Sequence, residues 1–259
     1  MQPYLSIITV TRNASSTVED CVRSICGQED FGGLAEHLLI DGASTDDTCA
    51  RVARLSDGRS RIISEPDRGL YDAMNKGVRL AQGEVIGFLN ADDLYAHERV
   101  LTRVAAAFRA DPALGICHAG LCYVDRDDPR RIIRRWPAEA FSAADLRAGD
   151  LPPHPSVFMR RDLFLRLGGF DLSYRIAADS DLLFRAFLLE RARHLSVDDC
   201  WVYMREGGVS NRSWKNVLQA SRELRRSMRA AGMGSPWPLL ARRYLKKLRQ
   251  YLPGGRATR

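Results

Sequence analysis

Glu84-Val85-Ile86-Gly87-Phe88-Leu89-Asn90-Ala91-Asp92-Asp93 decides how this chain is read. A short apolar run that stops at turn chemistry reads as a buried strand feeding an acidic turn. Upstream, Leu70, Ala73, Met74, Gly77, Val78 and Ala81 recur on one helical face, and Arg61 to Ser64 is strand-like. Ser44 and Asp47 form a capping signal for a helix reaching about Leu55, preceded by a strand over His37 to Ile40 that ends in Asp41-Gly42-Ala43-Ser44. Ser16 to Glu19 matches a capping box before Val18, Cys21, Val22 and Ile25, and Leu5 to Val10 is a β-rich run. Strand alternating with helix four times predicts an α/β domain, a mainly parallel sheet with helices on both faces.

Downstream the order becomes mixed. Val100, Leu101, Val104, Ala105 and Phe108 mark a helix. Leu114 to Val124, Arg131 to Trp136 and His194 to Met204 read as strands. Residues 142–149, 160–167 and 178–190 read as helices, and Ser213 to Ala231 as a long basic helix ended by Gly232 and Gly234.

The 259 residues, 45% hydrophobic and 27% charged, suit one large soluble domain with an appended tail. The net charge is +7, yet ten Lys or Arg and no acid follow Glu223, so residues 1–223 sum to −3. The basic balance belongs to the tail, which argues against a body built for nucleic acid. No run of 18 apolar residues and no signal-peptide pattern occurs, so a cytosolic chain is expected. Six cysteines without a Cys-x-x-Cys pair fit reduced thiols better than a disulfide framework or a zinc site.

Ligands of open parallel sheets bind beyond the carboxyl ends of the strands. Three polar clusters fall there: Thr11-Arg12-Asn13, Asp41 to Asp46, and Asn90 to Asp93. Neighbouring carboxylates on a turn repel unless a cation neutralises them, and hard cations with oxygen ligands often share a site with substrate phosphates. The plainer reading is that Asp92 or Asp93 caps a helix near His97. Asp41 can accept from a base N–H or a ribose hydroxyl, or form an ordinary Asx turn.

The chain resembles family 2 glycosyltransferases of the GT-A fold over roughly residues 4–210. The likeness rests on Ser6 to Asn13, on Asp41 to Thr48, and on Ser64-Glu65-Pro66-Asp67-Arg68-Gly69-Leu70-Tyr71-Asp72-Ala73-Met74-Asn75-Lys76-Gly77. It continues through Ala81 to Glu84, Asn90 to Asp93, Gly168-Gly169-Phe170-Asp171 and Ala178-Asp179-Ser180-Asp181. The long central stretch, with Gly207-Gly208-Val209-Ser210, is similar to the colanic-acid-type enzymes of bacterial surface polysaccharides. The resemblance implies a Rossmann-like mixed sheet: a catalytic domain over residues 1–212 (nucleotide-sugar half 1–95, acceptor half 96–212) and a basic helical segment over 213–259.

It also implies roles. Thr11, Arg12, Asp41, Ser44, Asp67, Lys76, Asn90, Ala91 and Asp92 fall on the donor side. Asp92, with Asp93, would hold Mg²⁺ or Mn²⁺ at the diphosphate. Asp179 would be the base of an inverting reaction, with Asp181 beside it. Two near carboxylates can push one pKa upward, and acids in a first helical turn also complement the helix dipole. Lys76 or Arg68 would add positive charge, or else lie on a solvated helix face. His154, in Leu151-Pro152-Pro153-His154-Pro155-Ser156, would be structural or on the acceptor side.

Two positions depart from the family pattern. Asn90 stands where the first acid of Asp-x-Asp is usual, and Arg12 where many relatives carry Tyr. An Arg can stack on a base through its guanidinium plane. Partners expected are a nucleotide-sugar donor, a glycan or lipid-linked glycan acceptor, and an anionic membrane. The last follows from Trp237, Leu239, Leu240, Tyr244, Leu245, Leu248, Tyr251 and Leu252 alternating with Arg and Lys, a pattern suited to a peripheral place on the cytoplasmic face of the inner membrane. Two rival readings are a sugar nucleotidyltransferase, for which Thr9 to Ala14 lacks a glycine-rich basic loop, and a catalytically weak nucleotide-sugar-binding module, which Asn90 favours.

Overall fold

Seven consecutive buried residues, Leu5–Thr11, form strand β1, and a strand buried on both faces belongs at the centre of a helix-covered sheet. The computed structural model describes residues 2–138, 150–207 and 214–233. The first half runs β1, α1 (Val18–Cys26), α2 (Phe31–Leu34), β2 (Ala35–Asp41), α3 (Thr48–Ser56), β3 (Ser60–Ser64), α4 (Leu70–Leu80) and β4 (Val85–Phe88). Then come β5 (Leu94–Tyr95), α5 (Val100–Ala110), β6 (Ile116–Val124), β7 (Ile132–Trp136), β8 (Val157–Arg160) and α6 (Arg161–Arg166). The described chain ends with α7 (Ala178–Phe184), which runs into a π-turn over Arg185–Leu189, then β9 (His194–Arg205) and α8 (Trp214–Ala230).

The sheet order is β3-β2-β1-β4-β8-β6-β9-β5, with β7 on β6. The pairs β3–β2, β2–β1, β1–β4 and β6–β9 are parallel, while β8 runs antiparallel to both β4 and β6. The register sets Thr11, Asp41 and Ser64 side by side. The carboxyl ends of β1, β2, β3, β4, β6 and β9 therefore share one edge.

Alternate residues of β1 serve opposite layers, as a period of two requires. Ile8 and Val10 pack with α4, α7 and α8, while Leu5 and Ile7 pack with α1, α5 and Trp201. A Cβ on Gly77 would strike Ile8 and Ile40, so glycine lets α4 lie directly on β1 and β2.

Several local expectations are corrected. The Ser16–Glu19 box is not made: Thr17 is the N-cap without a side-chain bond, and Glu19 pairs with Arg51. The acidic turn does not cap a helix, because β5 follows it and α5 starts only after Arg99. Helix α8, which follows the boundary expected at residue 212, places its Leu224 and Met228 in the main core. The helix expected over 142–149, the Gly208 to Ser210 stretch and the basic segment after residue 233 lie outside the described residues. The six cysteines are free thiols, and the Cys122 and Cys200 sulfurs approach to 2.9 Å across β6 and β9.

Candidate active site

The loops after β1 and β2 are bonded to each other before any ligand is considered. Asp41, fully buried, accepts from Ser44 N at 2.9 Å, Ser44 Oγ at 2.5 Å and Ser64 Oγ at 2.6 Å. Burial alone would raise its pKa; the bonds from Ser44 and Ser64 outweigh that and hold the carboxyl below its usual value. Ser44 Oγ also accepts Asn13 N at 2.7 Å, and Asn13 Oδ1 accepts Thr45 N at 2.9 Å. Asp41 and Ser44, expected as donor contacts, thus first build the loop.

What this loop cluster leaves open is specific. Thr11 Oγ1 is buried with no partner among the described residues. Gly42 lies beneath Asp67 and the Arg12 side chain, where a Cβ would collide with the Asp67 carboxylate. Asp67 accepts Gly69 N at 2.8 Å, and Arg12 is exposed at the rim. Lys76 is not a loose cation: its Nζ lies 2.8 Å from Glu65 and its side chain is 14% exposed. Arg68 is tied to Asp72 at 2.9 Å.

The acidic turn separates its two carboxylates. Asp92 is exposed, whereas Asp93 is 1% exposed and accepts Asn90 Nδ2 at 3.0 Å. Burial, reinforced by the Asp92 charge, pushes the Asp93 carboxyl up to about 8. The expectation that Asp93 shares the metal is therefore corrected: its side chain points into the body. The Ala91 methyl packs with Val18, Val22, Leu39 and Val52, so only its backbone is left for the donor. Asn90 spends its amide on Asp93, which gives the departure at this position a structural purpose. Beneath the turn, Arg205 from the end of β9 donates to Asp92 O at 2.9 Å, to Arg126 O at 3.2 Å, and to the Asp20 carboxylate. The sequence reading passed over Arg205.

Asp92 fits a hard divalent cation. It is one outward oxygen donor at a strand tip, and Mg²⁺ commonly takes one or two carboxylates, with waters and substrate phosphates completing its shell. Among the described residues no group of three or more His, Cys, Asp or Glu stands together.

The second open carboxylate is Asp179, half-buried in the first turn of α7 and accepting only Ser180 N at 2.7 Å. Asp181 is corrected as a catalytic candidate. It is 5% exposed and accepts from Arg185 Nε and Ser227 Oγ, both at 2.8 Å. His154 also turns inward. Its ring lies 5.6 Å from Phe88 and 5.7 Å from Phe170, and both ring nitrogens are buried without partners among the described residues. Burial depresses its pKa, opposed by the Asp179 charge. Phe88 lies on β4, whose end leads into the turn that carries Asp92.

Residues 167–177 lead to Asp179 and are held from far away in sequence. Asn75 brackets Phe170, donating to its O at 2.8 Å and accepting its N at 2.9 Å. Tyr71 Oη donates to Ile176 O at 2.6 Å. Tyr71 and Asn75 were legible as part of a motif, but not as ties between the halves.

Residues 6–166 match the family model described as "Glycosyl transferase family 2". The chain belongs to that family. It is 35% identical over 216 residues to a PGL/p-HBAD biosynthesis glycosyltransferase of Mycobacterium tuberculosis, covering 81% of this chain and 80% of that one. It is 27% identical over 253 residues to the O-antigen biosynthesis protein RfbC of Myxococcus xanthus, covering 92% of this chain and 19% of that protein. Its fold is similar to S. aureus TarS 1–349 in complex with UDP-GlcNAc (TM-score 0.70, 18% identity, 93% of this chain and 71% of that one). It is also similar to the mannosyltransferase PcManGT of Pyrobaculum calidifontis in complex with GDP-Man and Mn²⁺ (TM-score 0.66, 20% identity, 98% and 77%). The protein is a family 2 glycosyltransferase with a GT-A-type mixed sheet. The likeness to the colanic-acid-type branch is not among these matches. Among the described residues no helix is long and apolar enough to cross a membrane.

Proposed function

We propose that this glycosyltransferase moves a sugar from a nucleoside-diphosphate donor to a hydroxyl of a glycan, with inversion at the anomeric carbon. One observation carries the reading: of the candidate acids, Asp92 is exposed and Asp179 half-buried with a single hydrogen bond among the described residues, while Asp41, Asp93 and Asp181 are buried and hydrogen-bonded. The donor base and ribose enter over Thr11, Arg12 and Asp67, with Thr11 Oγ1 offering the unmatched polar group. Asp92 would hold Mg²⁺ or Mn²⁺, which when bound stabilises charge on the departing diphosphate.

Asp179 takes the proton of the acceptor hydroxyl, whose oxygen forms the new bond to the anomeric carbon. The bond from that carbon to the diphosphate oxygen breaks, and the electron pair leaves with the nucleotide. Displacement from the face opposite the leaving group inverts the centre. The relatives named for PGL/p-HBAD and O-antigen biosynthesis support a lipid-linked or surface-glycan acceptor. The aromatic and basic pattern of residues 236–252 supports peripheral attachment to an anionic membrane at its cytoplasmic face.

The deciding experiment incubates the protein with Mn²⁺ and a panel of UDP-, GDP- and dTDP-sugars. Slow nucleoside-diphosphate release from one donor is expected, and no release from any donor overturns the reading. Removing residues 236–259 is expected to abolish binding to anionic liposomes; undiminished binding rejects the membrane role.

A further inference from the structure

Glu223 lies 44 residues after Asp179, beyond the stretch that matches the family model, and is the last acid of the sequence. By composition it belongs to a basic helix. In the fold it is 5% exposed and aimed at the backbone of another segment. Its Oε1 accepts Arg175 N at 2.9 Å, and its Oε2 accepts Ile176 N at 2.8 Å and Ala177 N at 2.9 Å. Gln219 Nε2 fills a fourth position at 2.8 Å. A carboxylate offers about four lone-pair sites, so this one is saturated.

The three bonded N–H groups belong to the residues just before α7, and Ala177 is that helix's N-cap residue. Their donors have no intrahelical use, and a side-chain acceptor satisfies them as a helix cap does. Here the cap comes from another helix 46 residues away. From the opposite side Tyr71 Oη donates to Ile176 O. The peptide on which Asp179 is mounted is thus clamped through both of its faces. One turn further along, Ser227 of α8 donates to Asp181 at 2.8 Å, so α8 grips α7 at two points. Leu224 and Met228 seal this contact within the core.

We infer that Glu223 is a positioning residue for Asp179: it fixes the entry to α7 so that the Asp179 carboxylate is presented to the acceptor hydroxyl. The inference rests on the reading of Asp179 as the base. Glu223 touches no substrate. Its removal therefore lowers turnover without weakening nucleotide binding, which depends on loops of the other half. A carboxylate is needed because three backbone donors converge on it. Gln keeps the size but turns an N–H₂ toward a donor.

The test compares wild type, Glu223→Gln, Tyr71→Phe and Asp179→Asn. Nucleoside-diphosphate release is measured with the donor that the wild type uses, and UDP or GDP affinity with Mn²⁺ by titration calorimetry. Glu223→Gln is expected to lower kcat about tenfold, with nucleotide Kd within twofold and full binding stoichiometry. Tyr71→Phe, which removes one neutral bond to the same peptide, keeps the test valid should the Gln variant misfold, and is expected to lower kcat about threefold. Wild-type kcat in either folded variant, beside an inactive Asp179→Asn, overturns the role of Glu223 alone. A fully active Asp179→Asn overturns the base assignment and this inference together.

Discussion

The two halves of the site's edge are held together in opposite ways. After β1 and β2 the loops bond to one another: Asn13 with Ser44 and Thr45, Ser15 with Asp46, Ala14 with Thr48. Each partner lies within some 35 residues and at the end of a neighbouring strand. The segment before α7, besides bonds from Arg185 to Leu167 and Gly169, is tied to Asn75, Tyr71 and Glu223, on helices α4 and α8 that are distant in sequence. The lesson is that the nucleotide side is a local construction, whereas the side that presents Asp179 depends on how α4 and α8 dock. Damage to the first should appear in donor affinity, and damage to the second in turnover.

The largest expected effect lies at the acidic turn. Asp92→Ala should lower metal-dependent turnover about a thousandfold, while Asp93→Asn, altering an inward side chain, should stay within about threefold. Kinetics with Mn²⁺ check this, and equal losses would return Asp93 to the site. Asp179→Asn comes next, with kcat down by about a hundredfold or more and nucleotide affinity within about twofold. A large loss of affinity instead would erase the division between the halves.

Smaller effects sharpen the comparison. Asn75→Ala removes the bonds to the Phe170 N–H and C=O, which belong to two successive peptides. It should cost about 2–3 kcal/mol, a fall in Tm of roughly 6 °C. Ser44→Ala should instead weaken nucleotide affinity about fivefold with a smaller change in Tm. Thermal melts and calorimetry on both variants decide; a reversed pattern refutes the local-versus-docked distinction.

A further effect concerns pH. His37, 1% exposed between Thr9 and Ser60, has its pKa lowered by burial from 6.5 to about 4. The unfolded chain takes up this proton first, so stability falls as pH drops from 6.5 toward 4, by at most about 3 kcal/mol. Melts at pH 7 and pH 5 should show a fall that His37→Gln reduces. Burial lowers the pKa of His154 as well, but without the hydrogen-bonded partners of His37 among the described residues.

Sequence alone determined the parallel half: its strands, its helices and the three polar clusters at the carboxyl edge. Each follows from patterns a few residues long, and parallel strand order brings strand ends together without help. It also singled out Asp92 and Asp179 by type and motif. It ranked Asp92 over Asp93 and Asp179 over Asp181 only through the family resemblance, because adjacent or i,i+2 residues share composition and differ only in direction. That direction was decided by Arg205 beneath one turn and by Arg185 and Ser227 around the other. The helix over 214–230 read as a basic tail because charge dominates its composition, while Glu223, Leu224 and Met228 find their partners only across the folded core. Tertiary structure chose the inward acids, since burial and hydrogen-bond partners come from segments that no local window contains.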